Sequence, residues 1–277
     1  MPEDHIVDVL IAERAPRLAH SLIWPLVRPG LYKLLDYHRA RAMADAVAGL
    51  SGAQAMDYVS ALLALKLDVH GLERLPATGR VIIVSNHPTG IADGVAMYDA
   101  VKTRRPDAIF FANADALRVS QRLGEVVIPV EWVEEKRTRE KTRETLIRAR
   151  AALEAERCVV VFPAGRLAMR DKDGVLSDPP WAASAVSLAR RYEAPIVPVH
   201  LTGPWSALFH LFGRFSLELR DITLFHEMLN KTGKTFGLIF GQPIPPGVLD
   251  ADSAAATLAL KAYVERVLPA RPDGSFP

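Results

Sequence analysis

The residues best suited to chemistry lie in one short run, Ser85-Asn86-His87-Pro88-Thr89-Gly90-Ile91-Ala92-Asp93-Gly94. An imidazole with a carboxylate six positions downstream can form a pair in which the carboxylate accepts from one ring nitrogen. That bond fixes the tautomer and makes the other nitrogen more basic. Such a pair needs no protein nucleophile. It can take the proton of a substrate hydroxyl or amine while that substrate attacks a carbonyl. The spacing equally fits an Asp in the first turn of a helix, favoured by the helix dipole, with His87 a bystander.

A second run, Val161-Phe162-Pro163-Ala164-Gly165-Arg166, also follows an apolar stretch. Gly165 permits close backbone approach and Arg166 offers a planar fork of donors to a phosphate. A strand-end turn with a surface Arg has the same sequence appearance. A third run, Ile196-Val197-Pro198-Val199-His200, leads into Leu201-Thr202-Gly203 and reads as a strand and turn, with His200 a satisfied, partly buried histidine. Lys136, Arg137, Arg139, Lys141 and Arg143 interleave with Glu134, Glu135, Glu140 and Glu144. Mixed signs along a helix describe a solvated face, or else a place for phosphate or an anionic headgroup. The most aromatic stretch, residues 204–215, fits an interfacial helix, the mouth of an acyl channel or ordinary core packing.

These runs need elements to hold them. Val81-Ile82-Ile83-Val84 is a continuous β-branched run, as in a strand buried on both faces. Further strands are expected at residues 67–71, 108–111, 126–130, 158–162 and 195–201, with 217–219 and 236–240 as additions. Helices are expected over 31–48, 52–66, 91–103, 115–123, 138–156, 180–192 and 252–267, with a frayed tail after Pro269. Alternating strands and helices indicate an α/β class, with a mostly parallel central sheet flanked by helices. Residues 1–66 read as an N-terminal helical segment and 67–277 as the α/β domain. In this arrangement His87 lies just beyond the carboxyl end of a buried strand, where open α/β sheets place ligands.

The chain has 277 residues, 49% of them hydrophobic, enough for a sizeable core. Its formal net charge of +2 argues against a nucleic-acid binder. The single cysteine, Cys158, sits in an apolar run and can form neither an internal disulfide nor a thiolate cluster for zinc. One thiol and an N-terminus carrying Glu3, Asp4 and Asp8, unlike a signal peptide, suggest a cytoplasmic setting. No stretch reads as a membrane span. Residues 18–35 are apolar but interrupted by Pro25, Arg28, Pro29 and Lys33, which suits a membrane surface or packing on the domain.

Taken together, Asn86-His87 with Asp93 after a strand, Phe162-Pro163 with Gly165 after a later strand, and Val197-Pro198-Val199 resemble the glycerolipid acyltransferases. The resemblance spans roughly residues 70–245, and the order of the blocks carries it. It implies acyl transfer from acyl-CoA or acyl carrier protein to the hydroxyl of a lyso-lipid such as 1-acylglycerol-3-phosphate. His87 would be the base and Asp93 its orienting partner. Asn86, Gly90, Phe162, Pro163, Gly165, Arg166, Lys136 and Arg137 would bind substrate. It further implies peripheral contact with the inner face of the cell membrane, and no metal or other cofactor besides the donor substrate.

Three departures mark this chain. Five residues separate His87 from Asp93, where four are usual, and the pattern His87-Pro88-Thr89-Gly90-Ile91-Ala92-Asp93-Gly94 is similar to the hemolysin-like branch that includes ornithine-lipid acyltransferases. Ala164 replaces the usual acidic residue of the Phe-Pro-Glu-Gly turn. The strand at residues 128–132 ends without the usual phosphate-binding Arg. A lyso-ornithine lipid or another non-phosphate acceptor is therefore the alternative to a glycerol phosphate, and a non-catalytic lipid-binding member is a further one. A metal-dependent hydrolase would need more ligands than His87 and Asp93 supply.

Overall fold

The computed structural model describes residues 4–131, 137–170 and 176–277. Five helices come first: α1 (Ile6–Arg14), α2 (Pro16–Ala19), α3 (Trp24–Leu34), α4 (Tyr37–Val47) and α5 (Gly52–Leu63). Strands and helices then alternate through β1 (Lys66–His70), β2 (Val81–Ser85), α6 (Ile91–Val101), β3 (Ile109–Asn113), α7 (Asp115–Val119) and β4 (Val127–Val130). They continue with α8 (Arg139–Glu154), β5 (Cys158–Val161), β6 (Met169–Arg170), β7 (Leu176–Ser177), α9 (Ser184–Arg191) and β8 (Ile196–Thr202). The chain closes with α10 (Ala207–Phe215), α11 (Leu217–Asp221), α12 (Leu224–Leu229), β9 (Thr235–Phe240) and α13 (Ser253–Ala262).

The main sheet has seven strands in the order β1-β9-β8-β2-β5-β3-β4. Every pairing is parallel except β8 with β9. This is the expected α/β class with a mostly parallel sheet, and the β-branched runs explain it. On β2, Val81 and Ile83 enter one core cluster while Ile82 and Val84 enter the other. On β5, Cys158 and Val160 face the first cluster, and Val159 and Val161 the second. A strand covered on both faces has no polar side to alternate with. The first cluster also takes Val7, Leu10, Ala40 and Met43 from α1 and α4, so the N-terminal helices share the core of the sheet.

Several boundaries differ from expectation for local reasons. The single helix expected over 31–48 breaks at Asp36, which adopts a left-handed backbone with φ 54°. Ala64, at φ 44°, similarly ends α5 and releases the chain into β1. Residues 217–219 are helical rather than extended, because the Ser216 hydroxyl caps the helix start by accepting from Leu219 N–H. The tail after Pro269 is held rather than frayed. Arg74 donates to Pro272 O at 2.6 Å and pairs with Asp273, Tyr263 Oη donates to Gly274 O at 2.6 Å, and Phe276 packs edge-on against Tyr263.

Candidate active site

The motif after β2 is anchored at its first residue. Asn86 Nδ2 donates to Leu201 O at 2.8 Å and Asn86 Oδ1 accepts from Leu201 N–H at 2.7 Å. The amide thereby ties the end of β2 to the end of β8, and Gly203 packs close beside Thr89 there: a Cβ at 203 would come within 2.6 Å of Thr89 Cγ2. The turn that follows requires glycine at position 90. Its φ is 91°, and a Cβ there would meet Leu167 at 3.2 Å.

Asp93 is fully buried in the first turn of α6. Its Oδ2 accepts from Thr89 N–H at 2.8 Å and Gly90 N–H at 3.0 Å, and its Oδ1 accepts from Thr89 Oγ at 2.5 Å. These bonds cap the helix start, as a carboxylate there should. They also leave Oδ2 aimed at His87, whose Nδ1 is 2.9 Å away. The ring is not turned so that Nδ1–H points along that line, and the two groups are in contact without an aligned hydrogen bond. Catalytic bonds are often loose in the absence of substrate and tighten around it. The extra residue between His87 and Asp93 is thus accommodated by the Thr89-Gly90 turn.

His87 is held on its other sides. Its ring stacks on Phe162, with centroids 4.6 Å apart and planes at 29°. Its backbone O accepts from Ala168 N–H at 3.0 Å, and its backbone N–H is shared between the two oxygens of Asp178 at 3.1 and 3.2 Å. The side chain keeps 17% of its surface exposed, so one face of the ring is open to solvent.

The Phe162–Arg166 turn closes with a bond from Gly165 N–H to Phe162 O at 3.1 Å, and Gly165 has φ 63°. It brings Phe162 to His87, leaving Arg166 exposed with no hydrogen bond or ion pair among the described residues. Arg137 is exposed near the start of α8 and donates to Glu131 O at 3.3 Å. Lys136 lies outside the described residues. The basic face of α8 carries ion pairs of its own, including Lys141 with Glu131 at 2.8 Å and Arg148 with Glu144 at 2.8 Å. His200 is apart from the site: its Nδ1 meets Val264 O at 2.9 Å, and burial lowers its pKa. Among the described residues no group of three His, Cys, Asp or Glu side chains could hold a metal ion.

Sequence reasoning passed over two buried groups here. Asp178 is distant in sequence, and burial pushes its carboxyl up to about 6, against the donors Trp181 Nε1 and His87 N–H that favour its charge. Lys231 and Glu227 form a buried pair at 3.5 Å on the C-terminal side of α12, with burial lowering the lysine and the Asp93 carboxylate within electrostatic reach of it. A lone Asp and an i,i+4 Glu–Lys pair look like surface residues in a sequence, so neither carried a signal.

The family model described as Acyltransferase matches residues 66–202. A lyso-glycine lipid O-acyltransferase of Bacteroides thetaiotaomicron is 25% identical over 259 residues, covering 91% of this chain and 93% of the relative. A protein of the same description from Phocaeicola vulgatus is 29% identical over 201 residues, covering 70% of each. The crystal structure of the 1-acyl-sn-glycerophosphate (LPA) acyltransferase PlsC from Thermotoga maritima superposes with a TM-score of 0.49 at 14% identity, over 96% of this chain and 95% of that one.

Proposed function

Residues 66–202 belong to the Acyltransferase family, and from that premise we propose that the chain transfers a fatty acyl group from acyl-CoA or acyl carrier protein to the hydroxyl of a lyso-lipid. One observation carries the mechanism: a partly exposed His87 whose Nδ1 is 2.9 Å from a buried, fully bonded Asp93 carboxylate. The acceptor hydroxyl gives its proton to His87 Nε2 as its oxygen attacks the thioester carbonyl. Asp93 stabilises the resulting imidazolium. The C–S bond then breaks, and the departing sulfur takes the proton back from Nε2. The oxyanion formed in between needs donors. Thr89 and Gly90 N–H are occupied by Asp93, and Gly165 N–H by Phe162 O. Ile91 and Ala92, whose N–H groups open α6 and have no partner within the helix, supply them.

The acceptor is a lyso-lipid with an amino-acid headgroup. Two relatives are lyso-glycine lipid O-acyltransferases, and β4 runs into Glu131 rather than an Arg. Membrane contact is made by the N-terminal helices and α10–α11. Leu22 and Leu26 are 97% and 82% exposed, and Phe215 is 77% exposed. Glu218 of α11 accepts from the Arg17 and Leu18 N–H groups of α2, which keeps the two elements together. Arg28 and Lys33 of α3, with Arg39, line a crevice of about 560 Å³ next to this apolar face, suited to anionic headgroups. Among the described residues no helix is long and apolar enough to cross a membrane.

The test is an acceptor panel. Purified protein receives labelled acyl-CoA or acyl carrier protein with vesicles holding an N-(3-hydroxyacyl)glycine, its ornithine counterpart or lysophosphatidic acid. The proposal expects an ester product with an amino-acid acceptor; turnover of lysophosphatidic acid alone would reverse the headgroup assignment, and no product with any acceptor would remove the activity.

A further inference from the structure

The polar backbone groups of His87 are held from both ends of one hairpin. Ala168, just before β6, donates to His87 O, and Asp178, just after β7, accepts from His87 N–H with both oxygens. Resting on the function proposed above, we infer that Asp178 is a positioning residue for His87, its carboxylate brought there by the hairpin. Asp178 is only 6% exposed, and no surface role accounts for burying it. The segment that follows it is tied to the Phe162–Arg166 turn, because Ala182 N–H donates to Pro163 O at 3.0 Å.

The carboxylate is itself fixed. Trp181 Nε1 donates to its Oδ2 at 2.8 Å. Asp178 N–H donates to Glu265 Oε1 at 2.7 Å, and Glu265 is paired with Lys261 at 2.6 Å. Among the described residues, the charged and titratable groups that face Asp178 are His87 from the end of β2, and Glu265 from the π-helical turn that continues α13, with Lys261 neutralising it; Arg166 of the neighbouring turn is exposed, and Asp93 lies beyond His87. Asp178 thus orients the His87 backbone and puts a negative charge within electrostatic reach of the ring. Its burial-raised carboxyl, at about 6, means that this charge is present at neutral pH and withdrawn by mild acid.

The experiment uses the full chain and reads His87 itself. Histidine-labelled wild type, Asp178→Asn and Trp181→Phe are titrated by NMR, with His87→Ala assigning the resonance. Removing a neighbouring negative charge disfavours imidazolium, so the His87 midpoint of Asp178→Asn lies below that of wild type. In parallel, kcat falls about ten- to a hundredfold with the donor KM unchanged, and the acid limb of the rate profile moves to lower pH. Trp181→Phe removes a donor to the carboxylate, so Asp178 protonates at higher pH and the acid limb rises. It carries the test alone if Asp178→Asn does not fold. An unmoved His87 midpoint and acid limb in the folded variants would overturn the inference. The NMR midpoint needs no turnover, so an inactive wild type would sink the proposed function while leaving this result readable.

Discussion

Replacing Asp93 with Asn separates the charge of the His87–Asp93 pair from its shape. The buried carboxylate accepts three hydrogen bonds from Thr89 and Gly90 and touches His87 Nδ1. An amide oxygen can keep both backbone donors on the Oδ2 side, while the NH₂ turns to a reversed Thr89 hydroxyl. The start of α6 survives, and stability should fall by only about 1–2 kcal/mol, the gap between charged and neutral acceptors. The catalytic loss is larger. Two unit charges about 4 Å apart interact by roughly 4 kcal/mol at an effective dielectric of about 20. The 17% exposure of His87 screens part of that. A loss of about 3–4 kcal/mol in the step that forms imidazolium is a fall of about 10²–10³ in kcat. The assay is steady-state acyl transfer at saturating donor, with a thermal melt of the same preparation. KM should stay near wild type. A folded Asp93→Asn protein within about tenfold of wild-type kcat would refute the reasoning.

Other perturbations separate structure from chemistry. Asn86→Ala orphans the N–H and C=O of Leu201, each worth about 1–3 kcal/mol; the melting temperature should drop by roughly 5–15 °C, and an unchanged melt would contradict the anchoring role. The Asp178 carboxyl, raised from 3.8 to about 6 by burial, binds its proton more tightly folded than unfolded, so its contribution is full below pH 3.8 and lost as pH rises through 6. Denaturant titrations of wild type and Asp178→Asn should show wild type losing up to about 3 kcal/mol relative to the variant between pH 4 and 7.5; parallel pH profiles would contradict this. The Cys158 thiol is fully buried and pushed up to about 12 by burial. A thiol reagent at pH 8 should label the native protein about a thousandfold more slowly than the urea-unfolded chain, and comparable rates would show the core to be open. Leu22→Asp with Leu26→Asp removes two side chains that would each contribute about 1.5–3 kcal/mol on burial. Vesicle flotation should weaken at least a hundredfold with the melt unchanged; undiminished flotation would move the membrane face elsewhere.

What was legible in the sequence was what depends on neighbours along the chain. Val81 to Val84 and Cys158 to Val161 announced strands because both faces of a parallel strand are apolar. His87 and Asp93 were legible because a strand end and a helix start lie only a few residues apart, and the Phe162 turn because glycine punctuates it. What was not legible depends on distant or unusual partners. Asp36 and Ala64 break helices in left-handed conformations without a glycine to signal them. The tail after Pro269 is ordered by Arg74, which follows β1 and lies 198 positions from Pro272. Asp178 reaches His87 across 91 positions, and only the hairpin that returns to the site reveals it.

The central claim is that His87 removes the acceptor's proton during acyl transfer. A single-turnover comparison of wild type and His87→Ala, using one labelled acyl thioester and one lyso-amino-acid lipid, tests it most directly. Loss of general-base assistance should slow ester formation about 10²–10⁴-fold while circular dichroism and donor binding match wild type. Ester formed at near-equal rates by the folded variant would contradict the account.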